Sequence, residues 1–232
     1  MNAWWMLYIV FPLAAYVIGS TPFGVILAAG RGVDLRARGS GNVGATNVAR
    51  VLGRRWGVLC FALDVAKGLV PVLLAGLLLR GGGLTTGEQL AWLAVAFGAI
   101  MGHVFSFWLR FRGGKGVATS LGATLGFWPY FTLPGLAAFA LWIVVTGVSR
   151  YVSLGSIVAA AAFPVLFVLY RLGTARPLGE VLPLLIFAVA MAALVVYRHR
   201  TNIGRLLRGQ ENKIGQKPAP PASSTAASDG SD

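Results

Sequence analysis

Long apolar runs, separated by short basic and glycine-rich segments, dominate the chain. Six of them, 3–29, 56–79, 89–109, 128–148, 152–170 and 181–197, approach or exceed the roughly 20 helical residues that cross a bilayer core. A seventh, 116–127, has 12 residues. At about 1.5 Å each it covers roughly 18 Å of a core near 30 Å, so by length alone it is a re-entrant piece. The first run begins almost at Met1 with no Lys or Arg before it. It lacks the basic n-region of a cleaved signal peptide and is expected to remain as a helix, kinked at Pro12 and at the Gly19-Ser20-Thr21-Pro22 stretch. The pattern predicts an all-α polytopic membrane protein.

Composition agrees, with 56% hydrophobic and 12% charged residues among 232, against about a quarter charged in soluble domains. The net charge of +13 would suit nucleic acid in a soluble chain. In one this apolar, Lys and Arg mark cytoplasmic loops and contact with anionic lipid, so no nucleic-acid partner is expected. The distribution of charge also decides the short seventh run. If 116–127 does not cross, an N-terminus outside leaves Arg198, Arg200, Arg205, Arg208, Lys213 and Lys217 outside too, against the positive-inside bias. If it does cross, sixteen of the 20 Lys and Arg lie inside, and only Arg80, Arg171 and Arg176 lie outside. The expectation is seven transmembrane helices, N-terminus out and C-terminus in, within one domain over 1–215. Residues 216–232 are Pro/Ala/Ser-rich and read as a disordered cytoplasmic tail. Cys60 is the single cysteine, which excludes an intramolecular disulfide and a metal site built on several thiolates.

This topology collects four unusual segments on the cytoplasmic face: 38–50 (RGSGNVGATNVAR), 111–119 (FRGGKGVAT), 149–156 (SRYVSLGS) and 198–205 (RHRTNIGR). In the first, Gly39, Gly41 and Gly44 alternate with Ser40, Asn42, Thr46 and Asn47 ahead of Arg50. Backbone N–H groups in such tight turns make an anion cradle; the competing reading is a loop with Thr46 or Asn47 capping a helix. Gly113-Gly114-Lys115-Gly116 sets a compact cation at a helix start, where the helix N-terminus also favours an anion. It is not a Walker loop, because Leu109 stands where the earlier glycine belongs and Gly116 replaces the magnesium-binding hydroxyl. The competing reading is a border lysine that snorkels. Ser153 and Ser156 open a helix, either as caps or as site hydroxyls. His199 and Asn202 share a helix face at i, i+3. Asp64 and Lys67 are costly within a span and are expected to pair with each other or with Arg54 and Arg55, and His103 reads as a structural hydrogen bonder. Carboxylate chemistry and metal hydrolysis look poor, since Asp34 and Glu211 are the only inner-face acids besides the tail aspartates. No metal or cofactor is expected.

At these segments the chain resembles the bacterial acyl-phosphate:glycerol-3-phosphate acyltransferases, the PlsY family. The likeness rests on GSTPFG, GSGNVGATNVARVLG, DVAKG, GHVFSFWLRFRGGKGVAT, SRYVSLGS and the His-x-x-Asn of RHRTNIG, in order from Gly19 to Gly204. The resemblance implies acyl transfer from acyl phosphate to the 1-hydroxyl of glycerol 3-phosphate, at the cytoplasmic face of a bacterial inner membrane. It implies that Ser40, Gly41, Thr46 and Ser153 line the phosphate pocket of the donor. Arg50, Lys115 and Asn202 would hold glycerol 3-phosphate, and His199 would orient the reacting groups. The enzyme producing the acyl phosphate becomes a candidate partner. Two other classes stay open at this point: a transporter of phosphorylated solutes, whose polar residues would sit at midplane in inverted halves, and an assembly factor without chemistry.

Overall fold

The computed structural model describes residues 5–79, 84–174 and 177–216. Arg80, Arg176 and Lys217, counted in the charge distribution, and the tail expected to be disordered from 217 on lie outside the described residues. Every regular element among those described is helical. A π-helical turn, Met6–Val10, leads into α1 (Phe11–Ser20), and α2 (Phe23–Ala29) follows a break. Then come α3 (Ala45–Leu52), α4 (Arg54–Leu78), α5 (Thr86–Val104), α6 (Val117–Gly126), α7 (Thr132–Ser149), α8 (Val152–Gly173), α9 (Leu182–Arg198) and α10 (Arg200–Leu207). Among the described residues, six helical stretches are long and apolar enough to cross a membrane, with α6 as a shorter apolar helix. The predicted runs agree with these helices to within a few residues.

The break in the first span shows how an interrupted helix survives in lipid. Pro22 has no N–H to continue the ladder, and the chain turns at Thr21 with ψ 116°. The freed carbonyls find donors far away in sequence: Thr21 O accepts from Lys67 Nζ at 2.8 Å, and Ser20 O accepts from Ser106 Oγ at 2.6 Å. Without such partners each group would cost several kcal/mol in hydrocarbon.

α5 is the axis of the bundle, with 67% of its apolar stretch buried against 22% for α7, α8 and α9. Small residues let neighbours approach it and each other, as is usual where lipid supplies no hydrophobic drive between helices. A Cβ on Gly102 of α5 would collide with the Tyr16 carbonyl of α1, and a Cβ on Gly122 of α6 with the Val65 carbonyl of α4. The far end of α5 starts in a capping box between Thr85 and Glu88. α6 starts beside Val104 at the near end of α5, and the residue after it, Phe127, packs on Trp92 with ring centroids 4.4 Å apart. This ten-residue helix therefore runs back along α5 from its last turn toward its first ones. α7 then returns, and α7 and α8 pack as an antiparallel pair in which Trp142 Nε1 donates to Ser156 Oγ at 3.2 Å. Large apolar side chains such as Ile18, Leu78, Val148 and Leu172 stay exposed on the outside of the bundle, where lipid would cover them.

Candidate active site

The four sequence segments meet at one end of the bundle. The loop before α3 is set by Asn47, whose buried Oδ1 accepts from the Ser40 N–H at 2.8 Å while its Nδ2 donates to Leu35 O and Arg38 O at 3.2 and 3.0 Å. Gly39 and Gly41 take left-handed conformations, φ 61° and 69°, and a Cβ on Gly39 would collide with Asn47 Oδ1. Asn42 Oδ1 accepts from the Gly44 N–H at 2.9 Å. Asn42 and Asn47 thus shape the loop through their side chains, and Gly39, Ser40, Gly41 and Thr46 are exposed. Gly44 is the N-cap of α3 and no side chain caps it, which corrects the capping reading for Thr46 and Asn47. Thr46 lies in the first turn of α3, so it and Arg50, four positions on, share a helix face.

The Gly113–Gly116 turn is clamped rather than free. The Gly113 and Gly114 N–H groups donate to Val104 O and His103 O at 3.1 and 3.0 Å, and Arg198 Nη2 donates to Gly113 O and Gly114 O at 3.3 and 3.0 Å. Gly116, with φ 84°, is the N-cap of α6. Lys115 projects from this turn and donates to Asn202 Oδ1 on α10. Asn202 Nδ2 in turn donates to Glu211 Oε1 at 2.8 Å, and Glu211 also accepts from Ser153 Oγ at 3.1 Å and from Arg205 Nε at 2.7 Å. Ser153 therefore bonds Glu211 and is not a cap; the N-cap of α8 is Tyr151, with no side-chain bond. Ser156 accepts from Trp142 and donates to Val152 O at 2.8 Å.

Glu211 is the residue that sequence reasoning set aside. It was an isolated acid in a basic stretch, which gave it no motif. Its segment crosses the start of α8, held by Ile214 N–H to Arg150 O at 2.8 Å and Arg150 Nη2 to Ile214 O at 2.9 Å.

The electrostatics follow from crowding Arg50, Arg198 and Arg205 near Lys115, with Glu211 as the opposing acid. Burial pushes the Lys115 ammonium down to about 8; Glu211 opposes this, and Arg205, Arg198 and Arg50 add to it. Burial also lowers Arg50, with Glu211 opposing and Arg205 adding to the drop. For Glu211, burial acts to raise the carboxyl, but the hydrogen bonds from Arg205 and Asn202 outweigh it and hold the group below its ordinary value. Burial, followed by the charge of Lys115, pushes His199 down to about 4, so it is neutral near pH 7. Its Nδ1 lies 2.7 Å from Val195 O. A carbonyl only accepts, so the proton sits on Nδ1 and Nε2 keeps its lone pair.

Directly beneath this polar end lies an apolar cavity between α4, α6, α7, α8 and α9. Val117, Ser156 and Val195 line it, and these stand two, three and four positions from Lys115, Ser153 and His199. Phe61, Trp142 and Phe163 line it further in. The arrangement suits an amphiphile with an anionic head and an apolar chain.

The family model described as glycerol-3-phosphate acyltransferase matches residues 9–209. A protein of that name from Desulforamulus reducens is 45% identical over 206 residues, covering 88% of this chain and 94% of the relative. Another from Geobacter sulfurreducens is 47% identical over 202 residues, covering 86% and 94%. Among solved structures, the glycerol 3-phosphate form of PlsY (YgiH), an integral membrane glycerol 3-phosphate acyltransferase, superposes with a TM-score of 0.75 at 38% identity, over 90% of this chain and 96% of that one. Its lysophosphatidic acid form gives 0.74 at 37% identity, over 90% and 95%. By the family match, the close relatives and the shared architecture, this chain belongs to the PlsY family of integral membrane glycerol-3-phosphate acyltransferases.

Proposed function

We propose that the protein transfers a fatty acyl group from acyl phosphate to the 1-hydroxyl of glycerol 3-phosphate, giving lysophosphatidic acid and phosphate for phospholipid synthesis. The carrying observation is the junction of a cation-rich pocket with an apolar cavity at Lys115, Ser153 and His199. The acyl chain lies in the cavity, and its carbonyl and phosphate emerge at the polar end. The exposed Ser40, Gly41 and Thr46, with Ser153, receive the phosphate of the donor. Arg50, Lys115 and Asn202 receive glycerol 3-phosphate.

In the reaction the 1-hydroxyl oxygen forms a bond to the acyl carbon, and the bond from that carbon to the phosphate oxygen breaks. The departing phosphate takes the hydroxyl proton, so no strong protein base is required. Neutral His199 orients the reacting groups and takes no proton in this step. The donor is already activated, so alignment of two anions and fixed donors for developing charge supply the acceleration.

The site faces the cytoplasm of a bacterial inner membrane, and the chain crosses seven times with its N-terminus outside. Two observations support this. Seven apolar helices reach the site alternately by their ends and their starts, α6 among them, and the excess of Lys and Arg gathers at that side. Acyl transfer by the purified protein in lipid, with palmitoyl phosphate and labelled glycerol 3-phosphate, tests the reading. Palmitoyl-CoA and acyl carrier protein thioesters serve as parallel donors. Lysophosphatidic acid from the acyl phosphate alone is the expected result. Equal product from a thioester contradicts the donor assignment, and no product from any donor contradicts the activity.

A further inference from the structure

Asp64 and Lys67 on α4 and His103 on α5 are buried, at 2%, 4% and 7% exposure. Lys67 Nζ lies 2.7 Å from Asp64 Oδ1, donates to Thr21 O at 2.8 Å, and stands 5.6 Å over the Phe23 ring. His103 Nδ1 lies 3.7 Å from the same Asp64 oxygen. The opposite edge of the imidazole faces the Gly113–Gly116 turn, where a Cβ on Gly114 would collide with His103 Nε2. The carbonyl of His103 accepts the Gly114 N–H at 3.0 Å, and a Cβ on Gly113 would collide with that carbonyl oxygen.

An ionised pair within a span is costly, and apolar residues of the same volume often replace a buried pair at no loss of stability. Stability alone therefore gives no reason to keep it. What the cluster touches does. One side supports the break in the first span at Thr21, and the other is a floor under the turn that carries Lys115. The geometry points to Asp64, Lys67 and His103 as positioning residues that fix the depth of the Gly113–Gly116 turn, and with it the place where Lys115 Nζ meets glycerol 3-phosphate. Asp64 orients the ring, Lys67 holds Asp64 against α1, and Nε2 of the ring sets the height of Gly114. This rests on the acyl-transfer reading, because it explains how the acceptor site is held.

Two substitutions separate positioning from simple packing. His103→Asn keeps an amide near the Nδ1 position facing Asp64 but empties the space under Gly114; His103→Gln fills that space. The full chain in lipid is assayed for KM and kcat with palmitoyl phosphate and glycerol 3-phosphate, and its unfolding midpoint is recorded in parallel. His103→Asn is expected to raise KM for glycerol 3-phosphate about tenfold, since a shift of roughly 1 Å costs up to about 10²-fold. Its KM for palmitoyl phosphate stays near wild type, and His103→Gln recovers most of the loss. Equal effects of Asn and Gln, or a lower kcat with both KM values unchanged, overturn the proposal in favour of a packing role. If His103→Asn yields no folded protein, Gly114→Ala moves the turn off the same ring from above. The same selective rise in KM is expected for it, and an unchanged KM overturns the proposal. Were wild type inactive with every donor, the acyl-transfer reading would fail by itself, and calorimetric binding of glycerol 3-phosphate would still test this inference. Weaker binding by Asn than by Gln supports it, and equal binding overturns it.

Discussion

Two clusters of charge among the described residues, one in the membrane interior and one at the site, are balanced in opposite ways. In the membrane interior, Asp64 meets Lys67 at 2.7 Å, and further contacts of the cluster run to His103, the Cys60 thiol, the Thr21 carbonyl and the Phe23 ring. Charge is matched there and the lysine is used by the protein itself. At the face, Lys115 has Arg50, Arg198 and Arg205 for neighbours, and Glu211 is the acid that offsets them. Positive charge is left over. A protein leaves cations crowded and half-desolvated, at a cost visible in the lowered Lys115, where a ligand is to supply the missing anion. On the proposed reading, the interior cluster is a support and the face cluster is a receptor.

Removal of one member from the receptor gives the largest expected effect on chemistry. Lys115→Ala should cut kcat/KM for glycerol 3-phosphate by about 10²- to 10³-fold, the usual scale for loss of a preorganised charge-stabilising donor, with little change in the unfolding midpoint. Wild-type turnover in this variant would make the receptor an ordinary basic surface. A smaller effect is expected at Glu211, which organises the pocket without adding positive charge. Glu211→Gln keeps the shape but weakens the hold on Arg205, and about a tenfold loss is expected, on the scale of a weakened charge-assisted bond. Glu211 raises the pKa of Lys115, so the basic limb of the kcat/KM profile should also move to lower pH. A limb that stays in place would mean that Glu211 does not act through Lys115. The smallest expected effect on activity lies in the packing between α4 and α6. Gly122→Ala sets a Cβ against the Val65 carbonyl and should cost about 1–3 kcal/mol of stability, seen as a lower unfolding midpoint in lipid with an unchanged pH profile. A shifted profile would mean that the support and the receptor are not separable in this way.

The sequence made some of this legible and hid the rest for physical reasons. Apolar run length found the spans because the bilayer imposes it, and glycine with Ser, Thr and Lys found the loops because those residues act locally. Asn47 sat within a recognised motif, yet its role is to hold the turn by three bonds to residues 35, 38 and 40, which residue type alone does not reveal. The kink at Thr21-Pro22 was readable, whereas the donors that satisfy it, Lys67 and Ser106, come from other helices. Asp64 and Lys67 pair as expected, with His103 added and without Arg54 or Arg55. Glu211 was overlooked because a lone acid among arginines shows its meaning only when the segment folds back over α8. Arg198 was counted for topology, but it clamps the Gly113 and Gly114 carbonyls.

The claim that the face cluster is a receptor for phosphate is tested most directly by the binding of glycerol 3-phosphate to the protein in lipid, measured by calorimetry at pH 7 and pH 9.5 against glycerol as a control. Lys115 is lowered to about 8, so it is charged at the first pH and largely neutral at the second, while the ligand remains a dianion over most of that range. The account predicts that glycerol 3-phosphate binds at pH 7, that glycerol does not, and that affinity falls at least about tenfold by pH 9.5, the scale of one lost charge-assisted contact. Lys115→Arg should remove that fall. Equal binding of glycerol and glycerol 3-phosphate, or an affinity unchanged between the two pH values in the wild type, would contradict the account.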